Sequence, residues 1–381
     1  MTPGARAAAA IAILDRILAG DRADRALTTW GRASRFAGSG DRAAVRDLVF
    51  DALRQRRSAA ALGGGLTGRG LILGLLRAAG QDSQFTGEGY APPPPGADEA
   101  GRPPDPQEAL DLPDWLLPDL RASLGPDLEA IAEALRHRAP VFLRVNLVKA
   151  DPPAAIAALA AEGIVARPHP LSPTALEVVE NARKVQASAA YREGLVELQD
   201  LSSQAVVDAL PLSHGMKVLD HCAGGGGKVL AMAARARLRL FAHDANPRRM
   251  ADLPERARRA GVAVTLTDRP EAEAPYDLVL VDAPCSGSGS WRRDPEGKWN
   301  LTPEVLDRTT ETQTMILDRV APMVGPAGVL AYATCSLLRR ENSDQARTFL
   351  ARHPEFAPDR ELTLTPIQGG DGFFLAIFRR R

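Results

Sequence analysis

Four apolar runs in the second half of the chain each end in an aspartate: Lys217–Asp220, Leu238–Asp244, Ala263–Asp268 and Leu278–Asp282. Short apolar runs separated by helix-length stretches predict parallel strands buried on both faces. Val329–Thr334 and Phe373–Phe378 read as further strands, and Pro303–Val324 as a helix between them. The expected fold is α/β, with a doubly wound, Rossmann-like sheet over residues 199–381. Open sheets of this kind bind ligands beyond the carboxyl ends of their strands. Four acids on that rim mark where chemistry is expected.

The rest of the chain has a different texture. Ile11, Leu14, Ile17 and Leu18 recur at helical spacing, and Asp41 is placed to cap a helix carrying Val45, Leu48, Val49 and Ala52. Arg42, Arg46, Arg54, Arg56 and Arg57 decorate that helix; a solvated face is favoured over an RNA-contacting one. Residues 80–112 are rich in Gly, Pro and Asp and predict a flexible insert. Helical spacing resumes with Trp115, Leu116, Leu120, Leu128, Ile131 and Leu135, giving a helical domain over 1–139. Residues 140–198 alternate strand and helix and predict a small α+β module, with substrate orientation and packing alone as equal candidates for its role.

Composition excludes some classes. With 47 basic and 47 acidic residues the chain is not a generally basic polyanion binder, although local patches remain open. Three cysteines, Cys222, Cys285 and Cys335, form no disulfide framework and point to a reducing compartment. No run approaches the roughly 18 apolar residues of a membrane span, and the first residues lack the features of a signal peptide. A cytoplasmic monomer without a metal is expected.

After Asp220 the chain reads His221-Cys222-Ala223-Gly224-Gly225-Gly226-Gly227-Lys228, then a helical run. Glycines let the backbone approach a ligand, and a helix start offers free N–H groups. A phosphate-binding Walker loop fails, because Cys222 and Val229 stand where Gly and Ser or Thr are required. A dinucleotide fingerprint fails because its last glycine would fall on Val229. The remaining reading is an S-adenosylmethionine site. There the glycine turn passes the amino-acid part, Asp244 meets the ribose and Asp268 the adenine.

Asp282 is followed by a small-residue loop, Ala283-Pro284-Cys285-Ser286-Gly287-Ser288-Gly289, and then by Trp291, Arg292, Arg293, Lys298 and Trp299. Cations beside flat aromatics suit nucleic acid, so Arg292, Arg293 and Lys298 are candidate RNA contacts. Cys285 and Cys335 both lie just beyond strand ends. A thiolate beside a methyl donor suits methylation of pyrimidine C5, a poor nucleophile until a thiolate adds to C6. An acid near N3 would hold or protonate the ring.

These segments carry a resemblance. DHCAGGGGK (220–228), DLVLVDAPCSGSGSWRRDPE (277–296), YATCSLLRRENSDQ (332–345) and DGFFLAIFRR (371–380) resemble the RsmB/Nop2/Sun family of RNA 5-methylcytosine methyltransferases. FLRVN (142–146) and ELQDLSSQ (197–204) look like the segment that precedes its catalytic domain, and RAAVRDLVFDALR (42–54) resembles the NusB-like helical domain of the bacterial RsmB branch. The resemblance implies that Cys335 is the nucleophile and Cys285 the product-release thiol. It implies that Cys222, Ala223, Gly224, Gly225, Gly226, Gly227 and Lys228 cradle the methionine part of S-adenosylmethionine. Asp282 would lie between donor and cytosine, and Lys228 would reach toward the base. Gly225 replaces the family's usual proline and Val229 its frequent threonine, which predicts a looser donor loop. The implied activity is cytosine-C5 methylation of RNA, with small-subunit ribosomal RNA favoured over transfer RNA. A non-catalytic assembly factor on the same fold is the rival. A DNA methyltransferase would put the adduct on Cys285 instead.

Overall fold

A computed structural model describes all of residues 1–381. Its contacts divide the chain into two compact units, one of Met1–Arg138 with Trp291–Leu301, the other of Ala139–Ser290 with Thr302–Arg381.

The first unit is helical. Helices α1 (Pro3–Leu18), α2 (Ala23–Ala33), α3 (Ser39–Arg54), α4 (Arg56–Gly63) and α5 (Gly68–Ala78) surround a core that includes Leu14, Val45, Val49, Leu71 and Leu73. α6 (Leu117–Leu124), α7 (Leu128–Leu135) and the short α13 (Pro295–Asn300) complete it. Asp41 does not cap α3. It lies inside the first turn, where its carboxylate accepts the Arg6 guanidinium at 2.9 Å. The insert over 80–112 has almost no regular structure, as its composition dictates, yet it is tied down. Phe85 is buried, the Glu99 carboxylate pairs with Arg69, and the Arg102 N–H donates to the Ala61 carbonyl. The insert expected to be flexible is therefore anchored to α4 and α5 by specific bonds.

The second unit holds two sheets. β1 (Val141–Val145), β2 (Val165–Pro168), β3 (Ala175–Glu180) and β4 (Val196–Leu198) form an antiparallel sheet in the order β2-β3-β1-β4. α8 (Pro152–Ala161) and the single-turn α9 (Ala189–Arg192) belong to this module. Pro152 opens α8, and the Asp151 carboxylate caps it by accepting the Ala154 N–H at 2.8 Å. The larger sheet contains β5 (Lys217–Asp220), β6 (Arg239–Ala242), β7 (Thr265–Leu266), β8 (Tyr276–Asp282), β9 (Val324–Thr334), β10 (Phe356–Leu364) and β11 (Phe373–Arg380). Its order is β10-β11-β9-β8-β5-β6-β7, parallel from β9 through β7, with β11 antiparallel to both neighbours. Its helices are α10 (Leu201–Asp208), α11 (Gly227–Ala233), α12 (Leu253–Ala260), α14 (Pro303–Val320) and α15 (Ser343–Arg352). This is the doubly wound, mostly parallel sheet that the alternation predicts. Leu278, Val279, Leu280 and Val281 are all fully buried, which explains why β8 reads as a continuous apolar run. Each such side chain contributes roughly 1.5–3 kcal/mol.

The 140–198 module and the large sheet make one compact unit, tied by Glu197, which pairs with Arg259 at 2.7 Å, and by Arg144, which donates to the Gly227 carbonyl at 2.8 Å. Residues 291–301 belong to the helical unit rather than the sheet. No single helix is long and apolar enough to cross a membrane.

Candidate active site

The site is assembled where β5, β8 and β9 end. β5 delivers Asp220 and the glycine turn into α11, β8 delivers Asp282 and the Cys285 loop, and β9 delivers Cys335. The Cys285 and Cys335 sulfurs stand 3.4 Å apart. The Lys228 ammonium donates to the Asp282 carboxylate at 2.6 Å and lies 4.8 Å from the centre of the Phe373 ring. Burial pulls the Lys228 ammonium down, but the Asp282 carboxylate more than offsets this and holds it above its ordinary value. The Cys285 thiol is pushed up, first by its contact with Cys335 and then by burial. Close approach of loops here requires glycine at Gly289: a side-chain carbon there would collide with the Gly372 carbonyl.

The glycine turn behaves as its composition demands. Gly224 and Gly226 both adopt positive φ, at 49° and 83°. Any side chain at Gly226 would also overlap Leu253. The Gly224 N–H and the Asn246 N–H donate to the Asp244 carboxylate at 3.0 and 2.9 Å. Arg249 pairs with the same group at 3.2 Å. Asp244 and the exposed Asp268 line one cavity of about 410 Å³ with His243, Ala245, Pro247, Met250, Leu266 and Thr267. The structure thus brings together the two acids that the sequence reading paired. Cys222 and Ala223 lie in the same turn, and burial raises the Cys222 thiol. Val229 is fully buried in the core of the sheet.

The expected RNA contacts divide. Arg293 is exposed, but Arg292 and Lys298 are only 4% and 1% exposed. The Lys298 ammonium donates to the Arg54 carbonyl at 2.9 Å, and the Trp299 indole donates to the Leu53 carbonyl at 2.7 Å. These cations and aromatics fasten α13 onto α3. The Lys298 ammonium is thus spent on a backbone carbonyl inside the helical unit rather than offered to RNA, and the Arg292 side chain is buried.

Sequence models place the chain among known proteins. Residues 207–379 match "16S rRNA methyltransferase RsmB/F", and residues 112–186 match the ferredoxin-like domain of the RsmF/B methyltransferases. The chain belongs to the RsmB/F methyltransferase family. It is 34% identical to the ribosomal RNA small subunit methyltransferase B of Citrobacter koseri over 284 residues, and to that of Salmonella paratyphi A over 282. Each match covers 69% of this chain and 65% of the relative, just under two thirds of its length. Among solved structures, PH0851 superposes with a TM-score of 0.78 at 22% identity, over 100% of this chain and 99% of that one. A methyltransferase homolog protein from Pyrococcus horikoshii follows at 0.63 and 22%, over 71% and 96%. These two share the fold.

Within this RsmB/F-family chain, sequence reasoning gave no role to three residues that the site holds. Asp220 is 1% exposed and no side chain bonds either of its carboxyl oxygens. Burial, and then the charge of Asp282, push its carboxyl up to about 7. Arg144, the one charge in the apolar FLRVN run, braces the glycine turn through Gly227 and also bonds Gln199. Glu341 is fully buried between the two cysteine loops. A charge interrupting an apolar run was the available signal for Arg144; nothing in the sequence distinguishes Glu341 from a surface acid.

Proposed function

We propose that the protein transfers a methyl group from S-adenosylmethionine to C5 of a cytosine in small-subunit ribosomal RNA, with Cys335 as nucleophile. The observation that carries this reading is the pair of thiols 3.4 Å apart beside the Lys228–Asp282 pair. Two thiols in contact suit a reaction in which one adds to the base and the other assists its departure.

The residues present fit the donor. The cavity lined by Asp244 and Asp268 suits an adenosine, and Asp220 offers a buried carboxyl with no side-chain partner to a donor ammonium. Bound there, S-adenosylmethionine supplies an electrophilic methyl group. The Cys335 sulfur then forms a bond to cytosine C6 as the C5=C6 π bond opens. Asp282 holds the base edge where charge develops, with Lys228 fixing the carboxylate. C5 takes the methyl group, solvent water takes the C5 proton, and the C–H electron pair left behind re-forms the C5=C6 bond as the C6–S pair departs with the Cys335 sulfur. Cys285 lends its proton to the departing Cys335 sulfur. A base attacked in this way must be out of its stack.

An RNA partner also finds a surface on the helical unit. Trp30, Arg32, Arg42 and Arg46 line a groove of about 460 Å³ between α2 and α3. Arginines beside an aromatic ring serve backbone contact and stacking.

Labelled S-adenosylmethionine with ribosomal RNA tests the reading, using wild type, Cys335→Ala and Cys285→Ala. Methylated cytosine should disappear in Cys335→Ala, and Cys285→Ala should accumulate a covalent RNA adduct. An adduct that survives in Cys335→Ala and is lost in Cys285→Ala would reverse the two roles. Transfer RNA methylated in preference to ribosomal RNA would change the substrate, and methylation of neither would favour an assembly factor.

A further inference from the structure

Glu341 has no part in the steps above, yet it is the most completely bonded acid near the thiols. It is fully buried. One of its carboxyl oxygens accepts the Ser286 N–H at 2.7 Å and the Gln313 amide at 3.1 Å. The other accepts the hydroxyls of Ser286 and Ser336, each at 2.5 Å. Ser286 follows Cys285 and Ser336 follows Cys335, so a single carboxylate grips the neighbour of each thiol. The grip extends further. Gln313 also donates to the Pro284 carbonyl at 2.9 Å, and the Glu341 carbonyl accepts the Tyr332 hydroxyl at 2.6 Å. The Ser288 hydroxyl lies 3.1 Å from that of Ser336 and accepts the Leu337 N–H at 2.8 Å. A buried acid is costly unless such donors compensate it, and loose packing of the loops would be cheaper with an apolar residue. Retaining a charge in this position fits a requirement for geometry.

We infer that Glu341 is a positioning residue that clamps the two cysteine loops at thiol contact and places its charge beside Cys285. The inference rests on the division of labour proposed above, in which Cys335 attacks and Cys285 gives up a proton. After the Cys335 contact and burial, the Glu341 charge also acts to raise the Cys285 thiol.

Glu341→Ala and Glu341→Gln separate the two roles, because glutamine keeps the shape and hydrogen-bonding capacity while removing the charge. Three readouts apply to the full chain: methyl transfer, closure of the Cys285–Cys335 disulfide by diamide, and alkylation of Cys285 by iodoacetamide. In closure both thiols are oxidised to the S–S bond and diamide takes up two electrons and two protons to become the hydrazine; peptide mass mapping excludes Cys222. Glu341→Ala should slow closure and lower kcat about 100-fold, the scale expected for a reacting group displaced by about 1 Å, while the donor and RNA KM values stay near wild type. Glu341→Gln should close the disulfide at the wild-type rate and alkylate Cys285 faster. Wild-type closure in Glu341→Ala, or unchanged alkylation in Glu341→Gln, would overturn the inference. Should Glu341→Ala fail to fold, the alkylation rate of Glu341→Gln still decides. Should wild type methylate no RNA, the functional reading fails, and closure and alkylation judge Glu341 independently.

Discussion

Asp220 is the residue at which the energetics of this fold and its site conflict. An acid buried without a side-chain partner destabilises the fold whenever it is charged. Its folded carboxyl keeps a proton up to about pH 7, whereas the ordinary value is 3.8. Between those values the folded state binds more protons than the unfolded state. Stability therefore falls as pH rises from about 4 to about 7 and is level above that. A shift of this size corresponds to about 4 kcal/mol. Asp220→Asn should flatten that slope, be more stable than wild type at pH 8 and bind S-adenosylmethionine more weakly. Urea unfolding between pH 4.5 and 8.5, with donor titration, checks this; an unchanged slope would remove Asp220 as its source. The same residue shows what sequence can reveal. Strand-end acids and a glycine turn give the position of Asp220, Asp244 and Asp268, because these follow from local pattern. Burial of a charge does not follow from local pattern, which is why Lys298 and Arg292 read as surface cations and are not.

At the scale of elements, sequence reading succeeds where burial is two-sided and fails at the β10 edge. β5, β8 and β11 are largely apolar and were legible, as was β9 from Val329 onward; its start, Gly325-Pro326-Ala327-Gly328, carries no apolar run and was not. β10 was not: Pro358, Asp359, Arg360 and Glu361 occupy its middle, and it pairs only with β11. An edge strand tolerates proline and charge, so no apolar period marks it. α14 ends at Val320, earlier than its apolar pattern suggests, just before Pro322. The 80–112 insert shows the same lesson, since its anchor is a polar residue. Asp111 is fully buried, accepts the backbone N–H groups of Arg57 and Ser58 at 2.8 and 2.9 Å, and pairs with Arg136 at 2.9 Å. It thereby satisfies the start of α4. Asp111→Ala should cost roughly 3–5 kcal/mol, the range for breaking a buried pair, measured by urea unfolding; a loss under about 1 kcal/mol would show that the insert is not anchored there. α13 is held by Lys298, whose ammonium is driven down to about 7 by burial, opposed by Asp111 and aided by Arg54. Below that pH the lysine is charged in both states. Between about 7 and 10.5 the unfolded state binds the extra proton, so stability rises with pH through that window. Lys298→Met should abolish the rise and raise the melting temperature at pH 6, and melts at pH 6 and 10 would show it.

At the scale of the whole molecule, the chain crosses between its two compact units at 138–139, 290–291 and 301–302. Every residue assigned to the donor and to the reacting base lies in the second unit: Asp220, the glycine turn, Asp244, Asp268, Asp282, Cys285 and Cys335. The 140–198 module shares that unit and braces the glycine turn through Arg144, so module and sheet should unfold together. The helical unit has its own apolar core and should unfold separately. Scanning calorimetry of the full chain should therefore resolve two transitions. A ligand that binds only the folded state stabilises it by RT ln(1 + [L]/Kd), about 2.7 kcal/mol at a hundredfold excess over Kd. S-adenosylmethionine at that excess should raise the transition of the second unit and leave the other in place. Arg144→Ala should reduce the donor-induced shift without moving the helical transition, because the lost bonds, to the Gly227 carbonyl and to Gln199, both lie within the second unit. If the donor raised both transitions equally, its site could not be confined to the second unit, and the assignment of the glycine turn and the Asp244–Asp268 cavity to donor binding would have to be abandoned.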